Sequence, residues 1–442
     1  MIKINKEQKK ALLASLFGTA IEWFDFFLYG TAAALVFGKL FFPNSDPSVG
    51  LLLSYVTFSI PFFIRPFGGV VFAHIGDKLG RRKSLILTLS LMGGATFLIG
   101  CLPTYAQWGI YAPIALMCLR AIQGLGIGGE WGGALLMAVE NSDKATRSLF
   151  GSVPQMGVPL GMLFGTAALN FIGNFVSDAE FLEWGWRIPF IGSVVLVGIG
   201  LWLRFSLNET PEFEEAKKKG KEVKIPLVAT LKYHWREVLM ATGLKVVETA
   251  PFYILSTFVI TYVTRVLELP KNIVLTAITW ATITCIIMIP IMGYFADAIG
   301  RKKMYAWGAV VMMLYAFPYF WLLNTKDPVL ISIATVVGLG IIWTPITAVL
   351  GTLSAEIFDP EVRYTGVTLG YQAGAAFAGG TAPLISSALM IKFDGSYIPV
   401  ASYFVLTCII SLVTIYIVRS HRIQTSQVAP ARITVPENAE SA

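Results

Sequence analysis

Long apolar stretches alternate with short polar segments along almost the whole chain. Because a membrane-spanning helix needs roughly 20 apolar residues, the pattern predicts about twelve spans. Lipid offers no partner for free backbone groups, so spans of this length must be helices. The predicted spans are residues 11–40, 49–75, 84–103, 110–139, 148–175, 187–207, 237–264, 273–296, 304–324, 329–355, 365–391 and 399–418.

The longest internal polar segment, residues 208–236, lies between the sixth and seventh predicted spans. This position predicts an all-α membrane protein with twelve transmembrane helices in two six-helix bundles, residues 1–207 and 237–418. Residues 208–236 are then a linker on the cytoplasmic side. The tail, residues 419–442, is polar and contains proline, so we expect it to be disordered.

Composition agrees with this class of protein. Of the 442 residues, 55% are hydrophobic and 14% are charged, whereas soluble domains have about 25% charged residues. The net charge of +7 would suggest nucleic-acid binding in a soluble protein. Here Lys and Arg are concentrated in the loops on one side of the predicted spans, which predicts a multi-pass protein of the cell membrane with both termini in the cytoplasm. We therefore expect no nucleic-acid partner.

Cysteine and histidine give no sign of a metal or cofactor site. All 4 cysteines fall within hydrophobic spans, and the 3 histidines are scattered. Buried cysteine usually behaves as a small hydrophobic residue. A membrane-embedded enzyme would need a nucleophile–base pair or a metal ligand set, so we expect neither a cofactor nor an enzymatic activity.

The two halves of the chain repeat each other. An Asp-x-x-Gly-Arg loop begins at Asp77 after the second span and again at Asp297 after the eighth. Glu140 and Arg147 bracket the turn after the fourth span, as Glu356 and Arg363 do after the tenth. Internal repeats of this kind are typical of transporters, in which the substrate site lies between the repeats near the bilayer midplane.

Glycines at a spacing of four occur in three spans. Such spacing lets two helix backbones approach closely in lipid. Static packing and sliding surfaces both remain open as interpretations. The residues are Gly124, Gly128 and Gly132, then Gly157, Gly161 and Gly165, and then Gly366, Gly370 and Gly374.

Ionisable residues within the apolar spans are the main functional signal. A charge at the bilayer centre costs about 2.5–3.5 kcal/mol on insertion scales, so such residues are paired or face a watery path. The set consists of Glu22, Asp25, Arg65, Arg120, Glu130, Lys245 and Glu248. A chain with acids and bases together at this depth is expected to transport a solute.

Glu22 and Asp25 share one face of the first span, and Arg120 lies at a depth that permits pairing with them. A carboxylate beside Arg keeps a low pKa, and one deprived of Arg in an apolar site has a raised pKa. We therefore predict proton coupling by Asp25, Glu22 and Arg120. A permanent buried ion pair is the alternative.

Substrate contacts are predicted on the spans expected to line a central cavity. Arg120 is the preferred carboxylate ligand because its planar fork donates two parallel hydrogen bonds. Lys245 and Glu248 form either a self-neutralising pair or a substrate clamp. For the others, simple packing is the alternative. The further candidates are Gln155, Tyr253, Trp343, Tyr371, Gln372 and Arg65.

A salt-bridge network at the cytoplasmic mouth is predicted from the two repeated loops and their Glu/Arg partners. Such a network can hold one conformation closed and break in the other. Loops that serve only as topology signals are the alternative. The predicted gate residues are Asp77, Arg81, Arg82, Lys83, Glu130, Glu140, Arg147, Asp297, Arg301, Lys302, Lys303, Glu356 and Arg363.

These motifs resemble those of a known family. The Asp77 and Asp297 loops resemble the signature of the major facilitator superfamily, and so does Arg120 with its alternating glycines. The segments 22–26, 65–68, 128–133, 184–190 and 209–213 resemble one branch, the metabolite:H⁺ symporters. The resemblance implies transport of a small acid or zwitterion such as shikimate, α-ketoglutarate, citrate, proline or betaine. Lys245 with Glu248 is most similar to the shikimate-transporter subgroup.

The chain departs from the family pattern at three positions. Ala73 replaces a glycine of the first loop motif, and Ala298 replaces a basic residue in the second copy. Val336 stands in the second half where the first has Arg120. Proton chemistry is therefore expected to belong to the first half.

The sequence thus predicts a secondary active transporter that imports a small carboxylate or zwitterion with a proton, by alternating access. We expect the lipid bilayer, the substrate and the proton to be its partners, and the protein to be a monomer. The alternatives are a proton-independent facilitator or exporter, and a transporter-like receptor that does not carry its ligand.

Overall fold

The computed structural model describes residues 6–79, 81–128, 147–205, 227–358 and 363–427. All regular elements within these ranges are helical. Nine helices are long and apolar enough to cross a membrane, one further span is a pair bent by 45°, and two are shorter apolar helices. They are α1 (Leu16–Phe41), α2 (Pro47–Phe72), α3 (Ile86–Cys101), α4 (Tyr111–Ile127), α5 (Ser148–Phe175), α6 (Asp178–Gly185 with Arg187–Trp202), α7 (Trp235–Val266), α8 (Lys271–Ile299), α9 (Arg301–Leu323), α10 (Pro328–Ala355), α11 (Thr365–Lys392) and α12 (Ile398–Val418).

Several helices run beyond their apolar spans. The first begins at Lys6, the second continues to Leu79 and the third starts at Arg81. The last helix continues to Gln427 and so includes the first nine residues, 419–427, of the tail predicted to be disordered. A short helix, Leu227–Tyr233, lies within the predicted linker.

Within the described residues, five of these helices contain widened π turns. These turns lie at Ala33–Phe37 in α1, Phe181–Gly185 in α6, Ile254–Phe258 and Tyr262–Val266 in α7, Val336–Ile342 in α10 and Ala375–Gly380 in α11. In α10 and α11 the regular helix that follows has a proline in its first two positions. Proline has no N–H to bond to the preceding turn, so the backbone ladder is interrupted there. Such π turns are frequent at functional sites.

The predicted glycine stripes are confirmed as sites of close helix contact. A Cβ atom at Gly161 of α5 would lie 2.6 Å from the Ala20 carbonyl oxygen of α1, and one at Gly124 of α4 would lie 2.7 Å from Pro61 of α2. In α11, a Cβ atom at Gly374 would lie 2.5 Å from the Lys245 side chain. Each stripe therefore lets one helix pack directly on another. Gly132 lies outside the described residues.

Among the described residues, the N-terminal and C-terminal halves meet along α2 with α11 and along α5 with α8, and the start of α5 also packs on α10. Helix α8 occupies in the second half the place that α2 occupies in the first, and α11 likewise corresponds to α5. The two contacts are thus related by the sequence repeat. Asp77 and Asp297 lie in the last turns of the equivalent helices, Pro47–Leu79 and Lys271–Ile299.

Candidate functional site

A small cavity lies between the two halves, at the level of the buried charges. It is lined by residues of α1, α2, α5, α7, α10 and α11. Lys245, Glu248, Tyr253, Trp343 and Tyr371 were predicted as substrate contacts and are part of this lining. The complete set is Trp23, Phe62, Val158, Lys245, Glu248, Thr249, Phe252, Tyr253, Trp343, Tyr371 and Ala375.

The two halves are in contact on both sides of this cavity. At one end, which we call the Asp297 end, the Asp297 carboxylate accepts hydrogen bonds from the backbone N–H groups of Ser148 and Leu149, both at 3.1 Å. At the opposite end, the Tyr55 and Thr261 hydroxyls are hydrogen-bonded at 2.7 Å across the halves. The cavity therefore lies between two contacts that join the halves.

Several predicted gate residues come together at the Asp297 end. Arg301 forms ion pairs with Asp297 and Glu356, and its Nε donates to the Ser148 hydroxyl at 2.6 Å. Asp297 thus caps the first turn of α5 from the other half of the chain. Negative charge is favourable at that position because the first N–H groups of a helix point toward it.

The remaining predicted gate residues are placed differently. Lys302 is half-buried on the same helix as Arg301, and Lys83 and Lys303 are exposed. Glu130 and Glu140 lie outside the described residues. The same holds for the side chains of Asp77, Arg81, Arg82, Arg147 and Arg363.

At the end opposite Asp297, a salt bridge joins the halves at the surface. The Lys271 ammonium lies 2.5 Å from the Asp178 carboxylate and 4.2 Å from the centre of the Phe181 ring. The hydrogen bond from Lys271 lowers the pKa of Asp178 below its usual range. The Arg265 guanidinium also donates to the Pro47 carbonyl at 3.0 Å.

Lys245 and Glu248 form a buried ion pair on α7. The Glu248 carboxylate also accepts hydrogen bonds from the Thr249 hydroxyl at 2.8 Å and the Thr347 hydroxyl at 3.2 Å. The Lys245 ammonium lies 3.8 Å from the centre of the Tyr371 ring. In this conformation the pair neutralises itself and both of its charges have partners.

Arg120 is fully buried, and each of its three nitrogens donates a hydrogen bond. Two bonds go to backbone carbonyls of α2, those of Thr57 at 3.2 Å and Phe58 at 3.0 Å. The third goes to the Gln123 side chain at 2.6 Å, and the guanidinium lies 3.7 Å from the centre of the Tyr29 ring. Arg120 is not part of the cavity lining.

Arg120 is connected to Asp25 through two intervening side chains. Gln123 donates from its amide nitrogen to the Thr96 hydroxyl at 2.7 Å, and Thr96 lies beside the Asp25 carboxyl. The other carboxyl oxygen of Asp25, Oδ2, is buried without a hydrogen-bond partner. The predicted closeness of Asp25 and Arg120 is thus realised through Gln123 and Thr96, and none of the ion pairs found among the described residues joins the two.

Arg65 has a different environment from Arg120. Its guanidinium lies over three aromatic rings, at 5.2 Å from Trp23, 4.2 Å from Phe26 and 4.5 Å from Phe62. The side chain is buried, and its Nε has no hydrogen-bond partner. The ion pairs found among the described residues do not include Arg65. Since Trp23 and Phe62 line the cavity, Arg65 lies directly behind its wall.

The other predicted polar residues surround this centre. Glu22 is buried and interacts electrostatically with Asp25 and Arg65. The Gln155 amide nitrogen is buried without a partner. Gln372 donates to the Gly128 carbonyl at 3.4 Å, and its own amide oxygen has no partner. Each of these three residues is therefore near the site without belonging to the cavity lining.

Some residues of the site were not singled out by the sequence. Gln123 follows Arg120 at a helical spacing of three, which places both on one face and was an available signal. Trp23 and Phe26 are conspicuous aromatics beside Glu22 and Asp25, but an aromatic residue in a membrane span is usually packing. Thr96 and Phe62 carry no local signal of their role.

Comparisons with known proteins agree with this architecture. Residues 15–370 match the family model of the Major Facilitator Superfamily. The chain is 42% identical over 394 residues to the inner membrane metabolite transport protein YhjE of Escherichia coli (strain K12), covering 87% of this chain and 89% of that protein. It is 38% identical over 409 residues to the shikimate transporter of Escherichia coli (strain K12), covering 92% of this chain and 93% of that protein.

Solved structures show the same fold. A crystal structure of a D-xylose-proton symporter superposes with a TM-score of 0.71 and 16% sequence identity, over 92% of this chain and 96% of that one. A partially occluded, inward-open conformation of the xylose transporter XylE also gives a TM-score of 0.71, at 14% identity. The predicted twelve-helix, two-bundle fold is confirmed. The chain belongs to the major facilitator superfamily and is a multi-pass membrane transporter of metabolites, not an enzyme.

Proposed function

We propose that this protein is a secondary active transporter that imports a small organic acid or zwitterion together with protons. The two halves rock around the central cavity. The cavity thus opens alternately at the Asp297 end and at the opposite end, where Tyr55 is bonded to Thr261. In this proposal the Asp297 end faces the cytoplasm, where both termini lie, and the protein works as a monomer in the bacterial inner membrane.

The observation that carries the proposal is the buried Arg65 guanidinium, which has no carboxylate partner among the described residues and lies beside the central cavity. A buried cation of this kind is costly unless it is paired. A carboxylate on the transported solute would supply the partner. The aromatic walls formed by Trp23 and Phe62 would exclude water from the pair and strengthen it.

Arg65 and Arg120 have different surroundings, which indicate different roles. Arg120 already donates from all three nitrogens, two of them to the backbone of α2. Arg65 has a free donor and lies behind the cavity wall. We therefore assign the solute carboxylate to Arg65 rather than to Arg120, with Lys245 as a second contact once its pair with Glu248 loosens.

The proton site in this proposal is Asp25, with Glu22 nearby. Asp25 is buried, its Oδ2 has no hydrogen-bond partner, and its connection to Arg120 runs through Thr96 and Gln123. A small relative movement of α1 and α4 would change the stabilisation that Arg120 gives to the carboxylate. That movement is the step at which the proton is bound or released.

The relatives define a set of solutes for testing. One is named a shikimate transporter, and another, from Salmonella typhimurium (strain LT2), is named a proline/betaine transporter and is 34% identical over 417 residues. The structurally similar D-xylose protein is named a proton symporter. Shikimate, proline and glycine betaine therefore form our probe panel.

The test is uptake into proteoliposomes that contain the purified protein, with the membrane potential clamped and the interior alkaline. For one proton per solute molecule, a gradient of one pH unit supports up to about tenfold accumulation of a probe, equivalent to about 1.4 kcal/mol. Accumulation of at least one probe that disappears without the gradient is expected. Equilibration without accumulation would show a facilitator, and binding without uptake would show a receptor.

A further inference from the structure

One side chain of α12 bridges a backbone turn of α7. Ser411 is fully buried, and its hydroxyl donates to the Gly243 carbonyl at 2.6 Å and accepts from the Val247 N–H at 2.9 Å. In a regular α-helix, the N–H of one residue bonds directly to the carbonyl four residues earlier. Gly243 and Val247 are such a pair. The Ser411 hydroxyl therefore connects a donor and an acceptor that the turn itself would join.

The neighbouring carbonyls of α7 are also bonded from outside the helix. The Tyr305 hydroxyl of α9 donates to the Leu244 carbonyl at 2.5 Å, and the Trp343 indole N–H of α10 donates to the Glu248 carbonyl at 2.6 Å. Pro251 has no N–H, so the carbonyl four residues before it lacks its usual donor. Three other helices thus hold the same two turns of α7.

These turns carry the Lys245–Glu248 pair that faces the cavity. A helix bends where a side chain inserts into its backbone ladder. The contact is close because residue 243 is glycine: any Cβ atom there would collide with Thr414, one turn further along α12 from Ser411. The position of the ion pair relative to the cavity therefore depends on which side chains of α12 contact this turn of α7.

We propose that Ser411 is a positioning residue of the transport site. Its hydroxyl holds the Gly243 carbonyl and the Val247 N–H of this turn, and this contact sets where Lys245 and Glu248 stand in the cavity. The inference rests on the proposed function only in taking this pair as part of the site that handles the solute. The geometry of the turn is independent of what is transported.

Removing the hydroxyl has a specific consequence for α7. In Ser411→Ala the Val247 N–H and the Gly243 carbonyl can bond to each other, so neither is left unsatisfied. The turn is then held by its own hydrogen bond alone, which stiffens it. If Ser411 served only to satisfy Val247, the same substitution would instead leave a buried N–H without a partner and loosen the helix. The two cases therefore predict opposite changes in the rigidity of this turn of α7.

The first measurement is backbone hydrogen exchange by mass spectrometry on the full chain, over the peptides that cover residues 243–251. Ser411→Ala is expected to exchange more slowly than the wild type in this segment, by about threefold or more, because local opening becomes rarer. Ser402→Ala is the matched control, since Ser402 is an exposed serine of the same helix that bonds only to its own Ile398 carbonyl. Unchanged or faster exchange in Ser411→Ala would overturn the proposal.

The second measurement is probe uptake in proteoliposomes. Ser411→Ala is expected to raise the KM for a transported member of the probe panel about tenfold. Ser411→Thr, which retains a hydroxyl, should restore the wild-type KM. In a Lys245→Met/Glu248→Gln background the additional effect of Ser411→Ala on KM should vanish, as expected for a residue that acts through the pair.

Two results of this second measurement would overturn the positioning role. One is an unchanged KM in Ser411→Ala, and the other is an equal change with and without the ion pair. Failure of the wild-type protein to take up any probe would count against the proposed function alone. In that case the hydrogen-exchange comparison still decides the geometry of the turn.

Discussion

Arg65 and Arg120 lie in the same half of the molecule, but their environments differ. The Arg65 guanidinium is held by the faces of Trp23, Phe26 and Phe62. A cation over an aromatic ring gains about 2 kcal/mol when both are desolvated. Its unpaired Nε costs about 1–3 kcal/mol for as long as no acceptor is present. A solute carboxylate would accept a hydrogen bond from this nitrogen and remove the cost. Each nitrogen of Arg120, in contrast, already donates a hydrogen bond.

Replacing Arg65 by lysine tests this assignment. Arg65→Lys keeps the charge and loses the planar fork that donates two parallel hydrogen bonds. We expect affinity for a transported probe to fall at least about tenfold, which is about 1.4 kcal/mol. The dissociation constant is measured by thermal shift and the KM by uptake. Arg236→Lys, at an exposed position, is the control, and equal affinity in Arg65→Lys and the wild type would exclude Arg65 as the anchor.

Asp25→Asn tests proton coupling. The amide has nearly the shape of the carboxyl group and can still accept a hydrogen bond, but it does not titrate. Accumulation driven by a pH gradient should be abolished, while exchange of solute across the membrane continues. Asp46→Asn, at an exposed acid that bonds to the Ser48 N–H, should behave as the wild type. Continued accumulation by Asp25→Asn would direct attention to Glu22.

At the scale of elements, the two closures differ in their chemistry. The Asp297 end is held by a carboxylate at the N-terminus of α5 and by the ion pairs of Arg301. Hydrogen bonds to charged groups contribute about 1.5–3 kcal/mol each. The opposite end combines the neutral Tyr55–Thr261 bond with the exposed Lys271–Asp178 salt bridge. Exposed pairs contribute little, so the Asp297 end is the stronger closure.

Asp297→Asn should open its own end of the molecule. The amide loses the charge that binds both Arg301 and the first turn of α5, so the population open at this end should rise about tenfold or more. After replacement of the 4 native cysteines, the reporter is the rate at which a buried Ser152→Cys thiol reacts with a maleimide in the purified protein. Asp327→Asn, which removes a carboxylate cap within a single half, should leave the rate unchanged. If the thiol reacts as slowly in Asp297→Asn as in Asp327→Asn, Asp297 does not hold this end closed and acts only as a topology signal.

The Lys271–Asp178 bridge should show a defined pH dependence. The hydrogen bond and charge of Lys271 lower the pKa of Asp178, so the folded state favours the ionised carboxylate. This contribution to stability is complete above the ordinary aspartate pKa of about 3.9 and is lost as the pH falls through the lowered pKa. The Tm of the wild type should therefore exceed that of Asp178→Asn by a small, constant margin between about pH 8 and pH 5.

The control for this margin is Glu183→Gln, which neutralises another exposed acid of α6. It should leave the Tm close to that of the wild type. A margin for Asp178→Asn that narrows between about pH 7 and pH 5 would contradict the lowered pKa, since the ordinary aspartate value is about 3.9.

At the scale of the whole molecule, the halves touch on both sides of one buried cavity. The repeat relates the α2–α11 contact to the α5–α8 contact, so opening one end and closing the other are similar movements of the same two bodies. Coupled transport requires that the two ends are not open together, because an open path would dissipate the gradient. The strengths of the two closures thus determine how tightly solute and proton are coupled.

Weakening both closures in one protein should therefore uncouple transport. Loss of about 1.4 kcal/mol at each end raises the population open at both ends about a hundredfold, as the product of two tenfold changes. We expect Asp297→Asn/Tyr55→Phe to equilibrate a transported probe without accumulating it. Each single variant should still accumulate the probe. Accumulation by the double variant at the wild-type level would show that other contacts keep the ends from opening together.

The sequence by itself determined the membrane spans, the two-half repeat and the helix contacts at the glycine stripes. These follow from local periodicity: lipid forces a span to be helical, and glycines four apart make a surface on which another helix can lie. The positions of Asp25, Arg65, Arg120, Lys245 and Glu248 within the spans were also readable. A charge in an apolar stretch is a local property of the chain.

The tertiary structure alone decided which of these charges are paired. Arg120 bonds to α2 backbone carbonyls and reaches Asp25 through Gln123 and Thr96, while Arg65 lies among aromatic rings. The Ser411 bridge to α7 likewise joins residues far apart in the chain. Such contacts depend on how helices are rotated against each other. That rotation is set by packing between distant segments, which no local pattern encodes.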